Sequence, residues 1–190
     1  MKTLFSPLLM AAACGLPLSA LADWEIDPTH THVSFEVGHL GLTRTPGLFR
    51  DVHGSVNFDA ERIEGSSVTM MIAAGSIDTV SAPRDAALRG ADWFDAERNP
   101  QIRFVSRQVR RIDATHYVIA GELTLRGKSL PVEFAATLTN RITNPFLKVP
   151  GVGFVATAHV KRSDFGMDKY LGVIDDEVEL KVQLELNRKS

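Results

Sequence analysis

Apolar and polar residues alternate along most of this chain. In VEFAATL, Val132, Phe134, Ala136 and Leu138 share one face. In EVELKVQLEL, Val178, Leu180, Val182, Leu184 and Leu186 alternate with Glu177, Glu179, Lys181, Gln183 and Glu185. A period of two belongs to a β-strand with one dry and one wet face. Eight such runs are expected, near residues 24–37, 48–58, 64–77, 101–112, 116–126, 129–140, 151–162 and 175–188. One-sided strands pair antiparallel, because parallel strands wrapped in helices read apolar throughout.

Several of the connections are of hairpin length: 59–63, 113–115 and Gly127-Lys128. Two are longer, 78–100 and 163–174. Only 78–100 has helical character: Leu88 stands four and three residues beyond Arg84 and Asp85, and Asn99-Pro100 ends the segment, since proline pushes the residue before it out of helix. Neither repeats nor an internal linker interrupt the chain, so residues 23–190 read as one all-β domain. Eight antiparallel strands of this kind form a sandwich or close into a barrel, and closure removes the exposed edges. Strands of ten to fourteen residues are roughly 33–46 Å long at about 3.3 Å per residue.

Composition narrows the function. The chain has 190 residues, 44% hydrophobic and 23% charged, with a net charge of −2 and no block of like charge. Neither nucleic acid nor an anionic membrane is implied as a partner. MKTLFSPLLMAAACGLPLSALA has the form of a secretory signal peptide: Lys2, an apolar run, then Ala20-Leu21-Ala22 as the cleavage pattern. Residues 1–22 are therefore expected to be removed and residues 23–190 to be exported to the periplasm. The single cysteine, Cys14, lies in that leader, so the mature chain would have no disulfide, thiolate ligand or cysteine nucleophile.

The candidate polar chemistry is sparse. His30 and His32 have the i, i+2 spacing that sends two imidazoles to one side of a strand, a zinc-ligand pattern needing a third donor. If Val33, Phe35 and Val37 point inward, His32 points out, and His30 with Asp27 and Pro28 shapes the start of the first strand by local hydrogen bonds. Arg84-Asp85 and Arg162-Ser163-Asp164 lie in the long connections and suit buried clamps or a contact with a ligand head group, as does Arg126. Asp175-Asp176-Glu177 reads as a solvated turn. No G-x-S-x-G, HExxH, CxxC or phosphate-binding glycine loop occurs, and no enzyme activity, cofactor or metal is expected.

A set of motifs in order carries a family resemblance. They begin with Ile26-Asp27-Pro28 with His30, Gly38-His39-Leu40-Gly41, and Gly47 with Phe49. Ser76-Ile77-Asp78-Thr79, Arg84-Asp85 with Leu88-Arg89, and Asp92-Trp93-Phe94-Asp95 follow. Asn99-Pro100 with Ile102 and Phe104, the run Gly121 to Gly127, and Arg162-Ser163-Asp164-Phe165-Gly166 complete it. Together they resemble the YceI-like proteins. The departures are Thr31 where the family often has serine, Trp93 where it usually has phenylalanine, and a longer stretch at 141–151. The resemblance implies an eight-stranded, antiparallel, up-and-down, lipocalin-like barrel. It also implies a non-enzymatic role, binding an isoprenoid, quinone-like or similar amphiphile for sequestration or transport in the periplasm.

The inward, large apolar positions are the candidates for lining such a pocket. On the earlier strands they are Phe35, Val37, Val56, Phe58, Met70 and Ile72. On the later strands they are Phe104, Ile119, Leu123, Phe134, Phe154, Val182 and Leu184. Leu40 and Leu42, with Leu88, Trp93 and Phe94, are expected on connections covering one mouth, where apolar groups would also allow transient membrane contact or a homodimer. Two other readings compete. One is a small secreted metal protein or metal-dependent enzyme built on His30 and His32. The other is an interaction module whose core is filled by its own side chains.

Overall fold

The structure is a computed structural model and describes residues 23–189; the expected leader lies outside the described residues. Eleven strands form one antiparallel sheet that closes on itself. They are β1 (Asp23–Ile26), β2 (His32–His39), β3 (Thr43–Phe49), β4 (Val52–Asn57), β5 (Ser67–Ala73) and β6 (Ile77–Asp78). After helix α1 (Ala82–Arg89) come β7 (Gln101–Arg111), β8 (His116–Leu125), β9 (Lys128–Thr143), β10 (Pro150–Lys161) and β11 (Ile174–Arg188).

These make eight staves, because the first three are each broken once: β1 with β2, β3 with β4, and β5 with β6. The breaks lie side by side. The first is Asp27–Thr31, the second Arg50-Asp51, and the third a 3-10 turn at Ala74–Ser76. Backbone bonds stitch the crease, from Arg50 N to Ser76 O at 3.1 Å and from Ala73 N to Asp51 O at 3.0 Å. β1 completes the ring: Ile26 pairs with Leu186 of β11 and Trp24 with Val56 of β4. The eight expected runs correspond to the eight staves; each break shifts the inward parity by one, from Ile26 to Val33, from Phe49 to Val52 and from Ile72 to Ile77.

One turn differs from expectation by a residue. The β8–β9 hairpin turns at Arg126-Gly127, with Leu125 opposite Lys128. Both central residues have positive φ, 51° and 71°, the geometry of a type I′ turn, which matches the twist of the flanking strands and puts glycine second. The helical character expected in 78–100 is α1.

Inward side chains form two apolar clusters at opposite ends of the barrel. One gathers Val33, Ile72, Ile102, Leu125 and Phe165 beneath Leu88 and Phe94. The other gathers Phe58, Val109, Tyr117 and Leu186 around Trp24 and Phe154. β7 shows the logic: it enters with Ile102 in the first cluster and leaves with Val109 in the second.

Candidate functional site

Between the clusters lies a cavity of about 200 Å³, walled by residues from all eight staves. It extends from Phe58 and Tyr117 at one end to Trp93 and Ile174 at the other. Every strand residue chosen from alternation lines it, from Phe35 and Val37 on β2 through Phe134 on β9 to Val182 and Leu184 on β11. So do Leu88, Trp93 and Phe94 from the α1 connection. Leu40 and Leu42 do not: they lie at the β2–β3 turn, 54% and 78% exposed, outside the cavity wall. The same alternation also carries Val33, Ile102 and Leu180 into the wall, two residues from candidate positions, and Val178, four residues from Val182.

The two ends are built differently. An aromatic plug closes the Phe58 end: Trp24 and Phe58 meet edge-on at 5.7 Å, Phe58 and Phe154 at 5.2 Å, and Tyr117 lies 6.3 Å from Phe154. The indole of Trp24 donates to the Phe58 carbonyl at 2.9 Å, which ties the first stave to the plug. At the other end the roof is the α1 connection and the β10–β11 loop. Phe49 meets Phe94 at 5.6 Å, and Trp93 faces Tyr170 at 6.5 Å.

The expected polar clamps exist with different partners. Arg84 and Asp85 do not pair; both hold Thr79, which donates its N–H and hydroxyl to Asp85 and accepts from Arg84. Arg126 donates to the carbonyls of Gly166 and Ala91 and so ties the two roofing loops together, an arrangement that the Lys169–Asp92 ion pair repeats. Ser163 bonds Asp176, through its N–H at 2.9 Å and its hydroxyl at 2.8 Å. Asp176 is therefore a structural carboxylate rather than part of a solvated turn, because the β10–β11 loop folds back onto it.

Three polar residues reach the cavity wall: Arg162, Asn57 and Ser66. Arg162 is 3% exposed and sits 5.3 Å from the Trp93 ring centre. Burial pulls its pKa below the ordinary arginine value. Asn57 Oδ1 is buried without a hydrogen-bond partner among the described residues. No sequence signal distinguished Asn57 or Ser66, since both belong to stretches that read as ordinary strand and turn.

The histidine pair separates. His30 lies in the turn before β2, while His32 is exposed at the start of β2. His30 Nδ1 is 3.0 Å from Asp27 Oδ2 and 3.9 Å from Glu185 Oε2; the three side chains have the spacing of a metal-binding cluster, and His32 takes no part. A second D-x-T-H stretch explains the arrangement. Asp27 Oδ1 accepts from Thr29 N, the Thr29 hydroxyl and His30 N. Asp113 Oδ1 accepts in the same way from Thr115 N, the Thr115 hydroxyl and His116 N, and His116 Nδ1 reaches its carboxylate at 2.8 Å. The motif is a self-contained Asx turn, used once before β2 and once in the β7–β8 hairpin. The Thr29 hydroxyl first, then His30, push the Asp27 pKa down to about 2; the Thr115 N–H first, then His116, push Asp113 to about 2.

Comparisons with known proteins agree with this architecture. A UPF0312 protein of Azotobacter vinelandii is 34% identical over 186 residues, covering 97% of this chain and 96% of that one. The crystal structure of Burkholderia cenocepacia BcnA superposes with a TM-score of 0.78 at 27% identity, over 85% of this chain and 99% of that one. A polyisoprenoid-binding domain from Saccharophagus degradans shares the fold, with a TM-score of 0.66 at 12% identity over 88% of this chain and 99% of that one. Residues 24–186 match the YceI-like domain, and the chain belongs to that family of barrel proteins.

Proposed function

We propose that this protein binds the apolar tail of an isoprenoid lipid, a quinone or a similar amphiphile inside the barrel, as a non-enzymatic carrier or buffer in the periplasm. The observation that carries the reading is the cavity, apolar on every stave and closed at one end by the Trp24–Phe58–Phe154 plug. The polyisoprenoid-binding domain from Saccharophagus degradans has the same fold, which supports this ligand class. The leader-like residues 1–22 support export.

The energetics suit a carrier. Burying a CH₂ group from water gains about 0.8 kcal/mol, so a long tail taken from water would exceed the roughly 20 kcal/mol ceiling on affinities. A tail taken from a membrane starts in an apolar phase, and its transfer into the barrel is close to neutral. Loading and release then need no energy source. The cavity, about 200 Å³, is smaller than the ~300–1,000 Å³ of most ligand pockets, so a long guest requires wall groups to move. Met70 is flexible, and Phe35 and Phe134 have large side chains that can swing aside. Exposed Leu40, Leu42, Tyr170, Leu171 and Val173 cluster where the β2–β3 turn bonds the β10–β11 loop, and would meet a membrane surface during exchange.

Native mass spectrometry of the protein purified gently from a periplasm tests the reading. A bound species of several hundred daltons, lost on organic extraction, is expected. A bare protein that also takes up no lipid from vesicles would overturn it. A mass increment matching zinc, lost with chelator and with His30→Ala, would favour a metal protein instead.

A further inference from the structure

We propose that the β9–β10 hairpin docks the protein on an anionic lipid bilayer, with Phe146 and Leu147 entering the apolar layer and the basic residues around them meeting the phosphates. The proposal concerns a surface outside the cavity and is independent of what the barrel holds.

β9 starts at the roof, where Lys128 bonds the Asp164 carbonyl, and carries the hairpin past the Phe58–Phe154 plug at the other end. The tip presents Phe146, 90% exposed, and Leu147, 59% exposed, with Ile142 exposed at its base. Single exposed apolar side chains are ordinary, but these are held out on a stiff support. Asn144 Oδ1 accepts from Phe146 N at 3.0 Å and from Leu147 N at 3.1 Å. Asn144 N donates to the Val149 carbonyl and Lys148 N to the Asn144 carbonyl, each at 2.8 Å. Asn144 Nδ2 donates to Oδ1 of buried Asn187 at 2.9 Å, which fixes the tip to β11. Pro145 and Pro150 restrict the backbone on either side. A tip already ordered loses little conformational entropy when it binds.

Charge identifies the surface that the tip fits. From Phe134 to Ser163 the chain has no Asp or Glu. Arg141 and Lys148 belong to the hairpin, while Arg188 and Lys189 follow Asn187, the register partner of Gly151 at the hairpin base. All four are exposed, and among the described residues none forms an ion pair. The acidic groups on the neighbouring strands, Glu25 and Glu185, are outnumbered, and Glu185 already faces His30. A bilayer with anionic head groups offers both chemistries together, phosphates for the cations and an apolar layer beneath them for Phe146 and Leu147. The apolar patch at the roof differs, because Asp92, Asp168 and Asp175 stand in the loops around it.

Vesicle sedimentation tests the proposal. The mature protein is mixed with phosphatidylcholine vesicles made with or without phosphatidylglycerol. The expected result is binding that favours the phosphatidylglycerol vesicles and weakens with added salt. Phe146→Ser combined with Leu147→Ser should weaken it by about tenfold. Lys148→Gln should weaken it by about fivefold. Leu40→Ser combined with Leu42→Ser, at the opposite end, should leave it unchanged. The hairpin side chains altered are all exposed, so an unchanged melting temperature should show that the variants remain folded. Phe146→Trp should add emission that brominated acyl chains quench, read as the difference from the unaltered protein. Equal binding to both kinds of vesicle, full binding by the Phe146→Ser, Leu147→Ser variant, or unquenched emission from Phe146→Trp would each overturn the proposal.

Discussion

Phe35 lies against Gly47, its register partner across β2 and β3, so closely that a β-carbon on Gly47 would come within 2.3 Å of Phe35 Cζ. The missing side chain is what lets the ring lie back on the neighbouring stave instead of standing in the cavity. Phe104 uses Gly121 in the same way, at 2.4 Å. Gly47→Ala should push Phe35 inward, costing about 1–3 kcal/mol as an overpacked core and lowering lipid occupancy. Urea unfolding and native mass spectrometry read the two effects. Adding Phe35→Leu should restore occupancy; if occupancy in Gly47→Ala is unchanged, the ring is not what shapes the cavity.

Phe58 is the centre of the aromatic plug, 4% exposed and in contact with both Trp24 and Phe154. Phe58→Ala should destabilise the protein by about 3–5 kcal/mol, the usual cost of emptying a buried aromatic site. It should also lengthen the cavity at its closed end. Offered a mixture of tail lengths, the variant should retain longer tails than the unaltered protein. An unchanged length preference would mean that the plug does not limit the guest.

Val80 holds φ at +60° while 95% exposed, a conformation that costs a β-branched residue without any packing in return. The Asp78 carboxylate imposes it by accepting the Val80 N–H at 2.8 Å. Val80→Gly should therefore raise stability by about 1 kcal/mol, seen as a higher melting temperature. A fall would show that the strain is relieved elsewhere.

The two D-x-T-H turns make stability depend on acid. Asp27 and Asp113 have native pKa values pushed down to about 2 from an ordinary 3.8. Depressed values stabilise the fold above the unfolded pKa, and that contribution drains away between about pH 4 and pH 2. His30 works in the other sense: its bond to Asp27 raises its pKa, so its contribution is full below about 6.5 and is lost as pH rises through the raised value. Asp113→Asn should flatten the loss of stability between pH 4 and pH 2, measured by denaturation across that range. An unaltered slope would assign the acid sensitivity to other carboxylates.

Alternation in residues such as Val178 to Leu186 made the strands, their inward faces and most of the cavity wall legible, because a period of two is a local property that any one-sided strand must show. The helical stretch around Leu88 and the roofing role of Trp93 and Phe94 were legible for the same local reason or from the family motifs. Other features depend on where distant segments meet. His30 and His32 looked like one face of a strand, but the D-x-T-H turn takes His30 off the strand before β2 begins. Asp176 looked solvated until the β10–β11 loop brought Ser163 to it. Arg162 was legible as a clamp, but its four acceptors, the carbonyls of Asp175, Met167, Lys169 and Ile174, follow from the way the β10–β11 loop folds back over the barrel end. The sequence by itself determined the staves and their apolar lining, since those rest on neighbours two residues apart. Only the tertiary structure decided how the roof is tied over the cavity, since that rests on contacts such as Arg162 with Trp93, between residues that the chain keeps far apart.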